Sequence, residues 1–200
     1  VVEIKMTVTP RRRAPGMSPE KRREMIVQAV LPLLVEHGAA ITTSQIARAA
    51  GIGEATVFRA FADKDELLDA CLAEAVRPDR ALDAISAIPL DQPLDERLVE
   101  AASALAAHME RMGALIGALH ASGYRRERRG RPGDGRRQSM VAVRDALADL
   151  FEPEAARLRL PPEQLALILA NLLMARGRHI SEDGPTTVEL IDVLLHGALV

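Results

Sequence analysis

Apolar residues recur along this chain at three- and four-residue intervals, and alternating β-branched runs are absent. That pattern predicts helices throughout. Ser18 can cap the first helix, with Pro19 and Glu20 in its first turn. Ile26, Ala29, Val30, Leu33 and Leu34 then form one apolar stripe ending at Gly38. Pro32 falls inside this helix and should bend it, because proline removes a backbone donor. Thr42 and Gln45 have capping-box spacing and open a helix to Ala50. Gly51 supplies a turn, and a short helix follows from Glu54 to about Phe61. Asp63 and Glu66 repeat the cap-and-acid pattern at the start of a longer helix towards Val76. After Pro78 the pattern weakens through "AISAIPLDQP". A long amphipathic helix is predicted from about Asp95 to Arg111, with Leu98, Ala102, Leu105, Met109 and Met112 on one side. Further helices are expected from about Gln138 to Leu150, Pro162 to His179 and Pro185 to Leu199. The stretch "SGYRRERRGRPGDGRR" has seven arginines, four glycines, a proline and no apolar face, the composition of a surface loop. No internal repeat is visible.

Two hundred residues suit one compact domain or a small head on a larger body, and 48% apolar residues are enough for a sizeable core. No apolar run approaches a membrane span and no secretory signal opens the chain. With one cysteine, Cys71, the expected setting is a reducing cytoplasm. Cys71 shares helical spacing with Leu67, Leu68, Leu72, Ala75 and Val76, which reads as core filling rather than a reactive thiol. Cysteine, histidine and carboxylate spacings offer no metal site, and no paired acid, base and nucleophile points to catalysis or a cofactor. An all-α enzyme would rest on His108 or His120 alone. Charge is divided unevenly. Residues 1–64 hold ten Lys/Arg against six Asp/Glu, a balance of +4, whereas the rest hold sixteen against twenty-two, a balance of −6. The asymmetry points the N-terminal part towards an anionic partner.

"ITTSQIARAAGIGEATVFRAFADKDELL", residues 41–68, has the economy of a helix-turn-helix. Ile46, Ala47, Ile52, Val57 and Phe61 can form its small core, and Gly51 avoids the steric cost of a positive φ. With those positions turned inward, Gly53, Glu54, Ala55, Phe58 and Arg59 lie towards the other side. A helix of this size fits the DNA major groove, where side chains near its N-terminus meet base edges. Glu54 can accept from cytosine N4 or simply compensate the helix dipole. Arg11, Arg12 and Arg13 form either a plain polar tail or an arm laid on phosphates or in the minor groove.

The run from Thr42 through Ile46-Ala47, Ala50-Gly51, Thr56-Val57-Phe58 and Phe61 to Lys64 resembles, without a gap, the DNA-binding head of the tetracycline-repressor-like (TetR) family of bacterial transcription regulators. The upstream "IVQAVLPLLVEHG" resembles that family's first helix. The resemblance implies an all-α fold. A flexible basic arm (1–18) would precede a three-helix DNA-binding head with a helix-turn-helix (19–63), followed by a helical-bundle domain for effector binding and dimerisation (64–200). It further implies that Thr56 and Lys64 hold phosphates, that Thr42, Thr43 and Ser44 anchor the second helix's N-terminus, and that Arg59 contacts a base or phosphate. Phe58 stands where the family usually has tyrosine, Gly53 where it has a serine cap, and Ala55 where it has glycine.

A regulator so built is expected to bind a double-stranded operator as a homodimer and to release it on binding a small hydrophobic effector. A helical protein-interaction module whose head no longer binds DNA is the alternative. "LALILANLLMA", residues 165–175, is apolar all round except Asn171, so one face can pack internally while the other needs a partner chain. Leu165, Ile168, Leu172 and Ala175 with Val188, Ile191, Leu195 and Leu199 would build a four-helix interface. The chain has only three Phe, one Tyr and no Trp to fill space between helices, which leaves room for an effector pocket. Leu105, Met109, Met112, Ile116, Met140, Val143 and Leu147 are its expected lining, with His108 or His120 as a polar anchor.

Overall fold

The computed structural model describes residues 17–124, 133–178 and 184–198; Arg11 to Arg13, Leu199 and residues 125–132 of the arginine-rich stretch lie outside them. Regular structure among the described residues is helical. The N-terminal part comprises α1 (Pro19–His37), a 3₁₀ turn (Gly38–Ala40), α2 (Thr43–Ala49), α3 (Glu54–Ala60) and α4 (Lys64–Ala75). The body comprises α5 (Asp79–Ser86), α6 (Leu94–Ala121), α7 (Gly133–Asp149), a second 3₁₀ turn (Glu152–Arg157), α8 (Pro162–Arg178) and α9 (Thr187–Ala198).

The helix starts are set by local chemistry. Ser18 Oγ accepts from the Lys21 amide at 3.2 Å, and an Asp63 carboxylate oxygen accepts from the Glu66 amide at 2.7 Å. At Thr42 both halves of the capping box form: Thr42 Oγ1 accepts from the Gln45 amide at 3.2 Å, and Gln45 Oε1 accepts from the Thr42 amide at 2.8 Å. α1 continues through Pro32 to His37 as one helix.

Three elements differ from the sequence pattern. α5 occupies the stretch where periodicity weakens; Ala81 and Ile85, with Ile88 just past its end, give a one-sided stripe too brief to stand out. α6 runs past Arg111 to Ala121, carrying Gly113 and Gly117 in its interior, because Leu115 and Leu119 continue the buried face. α7 starts at Gly133, ahead of the expected Gln138.

Two apolar clusters hold the chain together. One gathers residues including Ile26, Val30, Leu34, Ile46, Val57 and Phe61 of the head with Leu67, Leu68 and Cys71 of α4, so α4 packs with the head. Leu115 and Leu119, from the far end of α6, complete that same cluster. The other joins α5 to α9 around Ile85, Leu98, Leu105, Leu147, Phe151, Leu165, Leu169 and Ile191. α6 is therefore a member of both cores.

The seam between them is tight at one point. Gly38 has φ +55°, and a Cβ placed there would lie 2.5 Å from Ser122 Oγ and 2.6 Å from the Ala118 carbonyl oxygen. Ser122 Oγ accepts from the Ala39 amide at 2.7 Å and donates to the Ala118 carbonyl at 2.9 Å. Tyr124 adds a bond from its hydroxyl to the Asp69 carboxylate at 2.8 Å. At the opposite end of α6, Arg97 is completely buried. It pairs with Glu154 and donates to the Leu90 carbonyl at 3.1 Å, tying the second 3₁₀ turn and the loop before α6 to the body.

Gly38→Ala should destabilise the chain by about 2–4 kcal/mol, because it meets a left-handed backbone and a backbone oxygen that cannot move aside. Gly113→Ala, in an exposed helix interior with open space, should be neutral or stabilising by about 0.5–1 kcal/mol. Urea unfolding that gives the two variants equal midpoints would refute this account of the seam.

Candidate nucleic-acid interface

α2 and α3 meet through a turn closed by two backbone hydrogen bonds. The Ile52 amide reaches the Ala47 carbonyl at 3.0 Å and the Gly51 amide the Arg48 carbonyl at 3.2 Å, with Gly51 at φ +65°. This is a Schellman ending, and it requires the left-handed residue to be one without a Cβ penalty. α3 then starts at Gly53 without a side-chain cap, its Thr56 amide bonded to the Gly53 carbonyl at 2.8 Å.

Seven residues of α3 divide cleanly into two faces. Val57 is buried and Phe61, just past the helix end, is 2% exposed. Glu54, Ala55, Phe58 and Arg59 all face solvent, Phe58 with 59% of its surface open. Gly53, Thr42 and Ser44 are exposed, while Thr43 and Thr56 are half-buried. An Arg59 guanidinium nitrogen donates to Thr56 Oγ1 at 3.1 Å, which holds the cation along the outer face. Lys64 folds its ammonium onto the Ala39 carbonyl at 2.5 Å and remains exposed. The ammonium keeps further donors for an anion. The chemistry available on this surface is thus an aromatic ring, a carboxylate, a fixed guanidinium and an ammonium on a short rigid helix, which is what groove recognition needs.

Sequence periodicity did not single out Arg23. This α1 residue donates to the carbonyl of Ala60, at the C-terminus of α3, and pairs with Glu66 at 2.7 Å. Its guanidinium lies 4.2 Å from the centroid of the Phe61 ring. Glu66 in turn accepts from the Ala62 amide at 2.6 Å. The end of α3 is therefore clamped by one cation that satisfies an otherwise unpaired helix-terminal carbonyl. Only its position three residues before Ile26, on the inward side of α1, hints at this role.

Residues 26–71 match the family model described as "Bacterial regulatory proteins, tetR family", a span that covers α2, α3 and their turn. The head is a tetR-family DNA-binding domain. The chain as a whole shares its fold with solved structures of low sequence identity. A tetR-family transcriptional regulator from Streptomyces coelicolor is 22% identical over 90% of this chain and 80% of that one, with a TM-score of 0.55. A transcriptional regulator from Rhodococcus sp. Rha1 is 20% identical, covering 89% and 98% of the two chains, at a TM-score of 0.54. Superantigen PfiT is 18% identical over 92% and 98%, at a TM-score of 0.56. The likeness in the body is one of fold, on which unrelated functions can sit. The tetR-family head is what marks the chain as a DNA-binding transcriptional regulator.

In the body the expected effector lining does not assemble into one cavity. Leu105, Val143 and Leu147 are buried in the body core. Ile116, His120 and Met140 point to solvent, and Met109 and Met112 are half-buried. Of the nine, His108 alone lines the cavity that lies between α1, α4, α5 and α6. The expected dimer residues also divide. Leu165, Ile191 and Leu195 are buried in the chain's own core, since each helix must first cover its inward stripe. Ile168, Ala175 and Val188 are exposed and Leu172 is half-buried, with Leu167 and Val193 adding to the outward apolar surface. Cys71 is buried, and burial first, then the nearby Glu74 carboxylate, pushes its thiol up to about 12.

Arg23→Met should cost about 1–2 kcal/mol in urea unfolding and weaken DNA binding without altering any outward residue of α3. Amide exchange in α3 unchanged from the parent would rule out the clamp. Cys71 should resist an aromatic disulfide reagent at pH 8 in the native chain and react at once in denaturant; rapid native labelling would contradict its burial.

Proposed function

We propose that this tetR-family regulator acts in the cytoplasm as a repressor, binding a pseudo-palindromic operator as a homodimer and leaving it when a small, largely hydrophobic effector binds. The two-faced α3 carries this reading: Val57 and Phe61 fix the helix, while Glu54, Phe58 and Arg59 stand free of the fold. A residue that is exposed, held by a neighbour and absent from the core has its chemistry available for a partner, and the head's balance of +4 favours a polyanion. Arg59 is assigned to a base edge or phosphate, Lys64 and Thr56 to phosphates, and Phe58 to apolar contact with a thymine methyl or sugar. The described helices include none long and apolar enough to cross a membrane. Regulators of this kind work by binding rather than by catalysis.

Dimerisation is assigned to the outward faces of α8 and α9. Leu167, Ile168, Val188 and Val193 are large apolar residues left at 39–71% exposure on two adjacent helices. Two copies of this pair would form a four-helix interface. The operator geometry follows, with the two α3 helices about 34–36 Å apart to enter successive major grooves.

Fluorescence anisotropy with DNA flanking the chain's own gene tests the reading. Binding should be sequence-specific and weaken steeply with salt. Arg59→Ala should remove about 1–3 kcal/mol of discrimination, whereas Lys64→Ala should weaken all sequences alike. Full operator affinity in both variants would sink the assignment. Ile168→Glu combined with Val188→Glu should leave a folded monomer at micromolar concentration, since both side chains are exposed. Sedimentation showing an intact dimer would place the interface elsewhere.

A further inference from the structure

A half-open cavity of about 330 Å³ lies at the seam of head and body. That volume suits a small organic molecule. Its floor and one wall are apolar, made by Leu31, Pro32 and Val35 of α1 with Ala114 and Leu115 of α6. Val35 is 47% exposed, so an apolar side chain stands open at the mouth.

The polar rim is unbalanced. Glu74 and Asp79 are its two carboxylates, and both are taken: Glu74 by the Gln28 amide at 2.6 Å and by Arg77, and Asp79 by Arg77 at 2.7 Å. Arg80 and Arg111 also line the cavity, and neither has an acid within ion-pair distance among the described residues. Two guanidinium groups thus border an apolar space with no ion-pair partner among the described residues. His108 lies on the same wall, its imidazole held below the usual range first by burial and then by the Arg111 cation. The local field therefore favours an anion, and a neutral imidazole is at hand to share a hydrogen bond with one.

We propose that this cavity binds a small organic carboxylate with an apolar body, its carboxylate at Arg80 and Arg111 and its body against Leu31, Val35 and Leu115. Occupancy also changes operator affinity, a consequence that rests on the regulatory reading above. The route is short. α1 forms one wall and packs directly on α2, α3 and α4, while α6 forms the opposite wall and ends in the head's core. Pro32 lines the cavity and cannot donate to the carbonyl four residues back, which makes α1 the softer wall.

Isothermal titration of the full chain with octanoate and with hydrocinnamate, beside their neutral primary amides, separates the claims. Each acid should bind one site per chain with a dissociation constant at or below about 1 mM. Each amide should bind about tenfold more weakly, because the charge-assisted bonds are lost. Arg80→Met with Arg111→Met keeps the apolar stems and should reduce acid binding about tenfold while sparing the amides. Ala114→Phe, growing into the cavity, should abolish binding of both. No binding by either acid, equal binding of acids and amides, or wild-type binding in both variants would overturn the site. In the anisotropy assay the acids should shift operator affinity about fivefold or more in the parent and leave Ala114→Phe unmoved. Acid binding with no such shift would overturn the coupling. A parent chain that fails to bind DNA without ligand would instead overturn the regulatory reading, and the titration would still decide the site.

Discussion

Gly38 and Ser122 lie so close that no side chain fits between the head and the end of α6, and this contact governs how the molecule works as a unit. Ser122 accepts from the Ala39 amide and returns a bond to its own helix, so the 3₁₀ turn after α1 is fastened to the last turn of α6. Leu115 and Leu119 arrive with it and are buried among head residues. Burying two leucines contributes about 3–6 kcal/mol before entropy is counted. A head separated from α6 would lose that burial. The DNA-reading part is thus not an independent module joined by a linker. It is half of a structure whose other half includes the body's longest helix.

Shared ownership of α6 has a mechanical side. Its first turns are pinned by the buried Arg97–Glu154 pair, and its last turns by the head. Breaking a buried pair by removing one partner strands an uncompensated charge, so the N-terminal end of α6 is held firmly. A displacement of this helix cannot be absorbed at either end and must move its neighbours. Within the head, the Arg23–Glu66 network and its contact with Phe61 pass any movement of α1 to the end of α3.

Much of the head was legible in the sequence because its boundaries are local events. Ser18 before Pro19, Thr42 with Gln45, Gly51 and Asp63 with Glu66 each act within three or four residues, and each forms as read. Of the inward set read from spacing, Ile46, Ala47, Val57 and Phe61 are buried and Ile52 is half-buried. What escaped depends on distant neighbours. α5 is too short for its periodicity to register, and α6 continues through two glycines only because Leu115 and Leu119 find partners in another core. Arg23 looks like any charged helix residue until α3 places a carbonyl beside it. Of the expected effector lining, Leu105, Val143 and Leu147 are buried in the body core, while an opening lies at the seam where the two cores meet. Helix periodicity tells which face turns inward, but not which of several inward faces will close completely.

The division of α3 bears on how such a chain changes over generations. Stability of the short helix resides in Val57, Phe61, the Gly51 turn and the clamp from Arg23, none of which lies on the outer face. Positions 54, 55, 58 and 59 touch little else in the chain. Substitutions there leave folding nearly untouched, so the chemistry this face presents can drift by single steps without passing through unfolded intermediates. An open aromatic ring such as Phe58 can thus be gained, kept or exchanged at a cost borne by recognition alone.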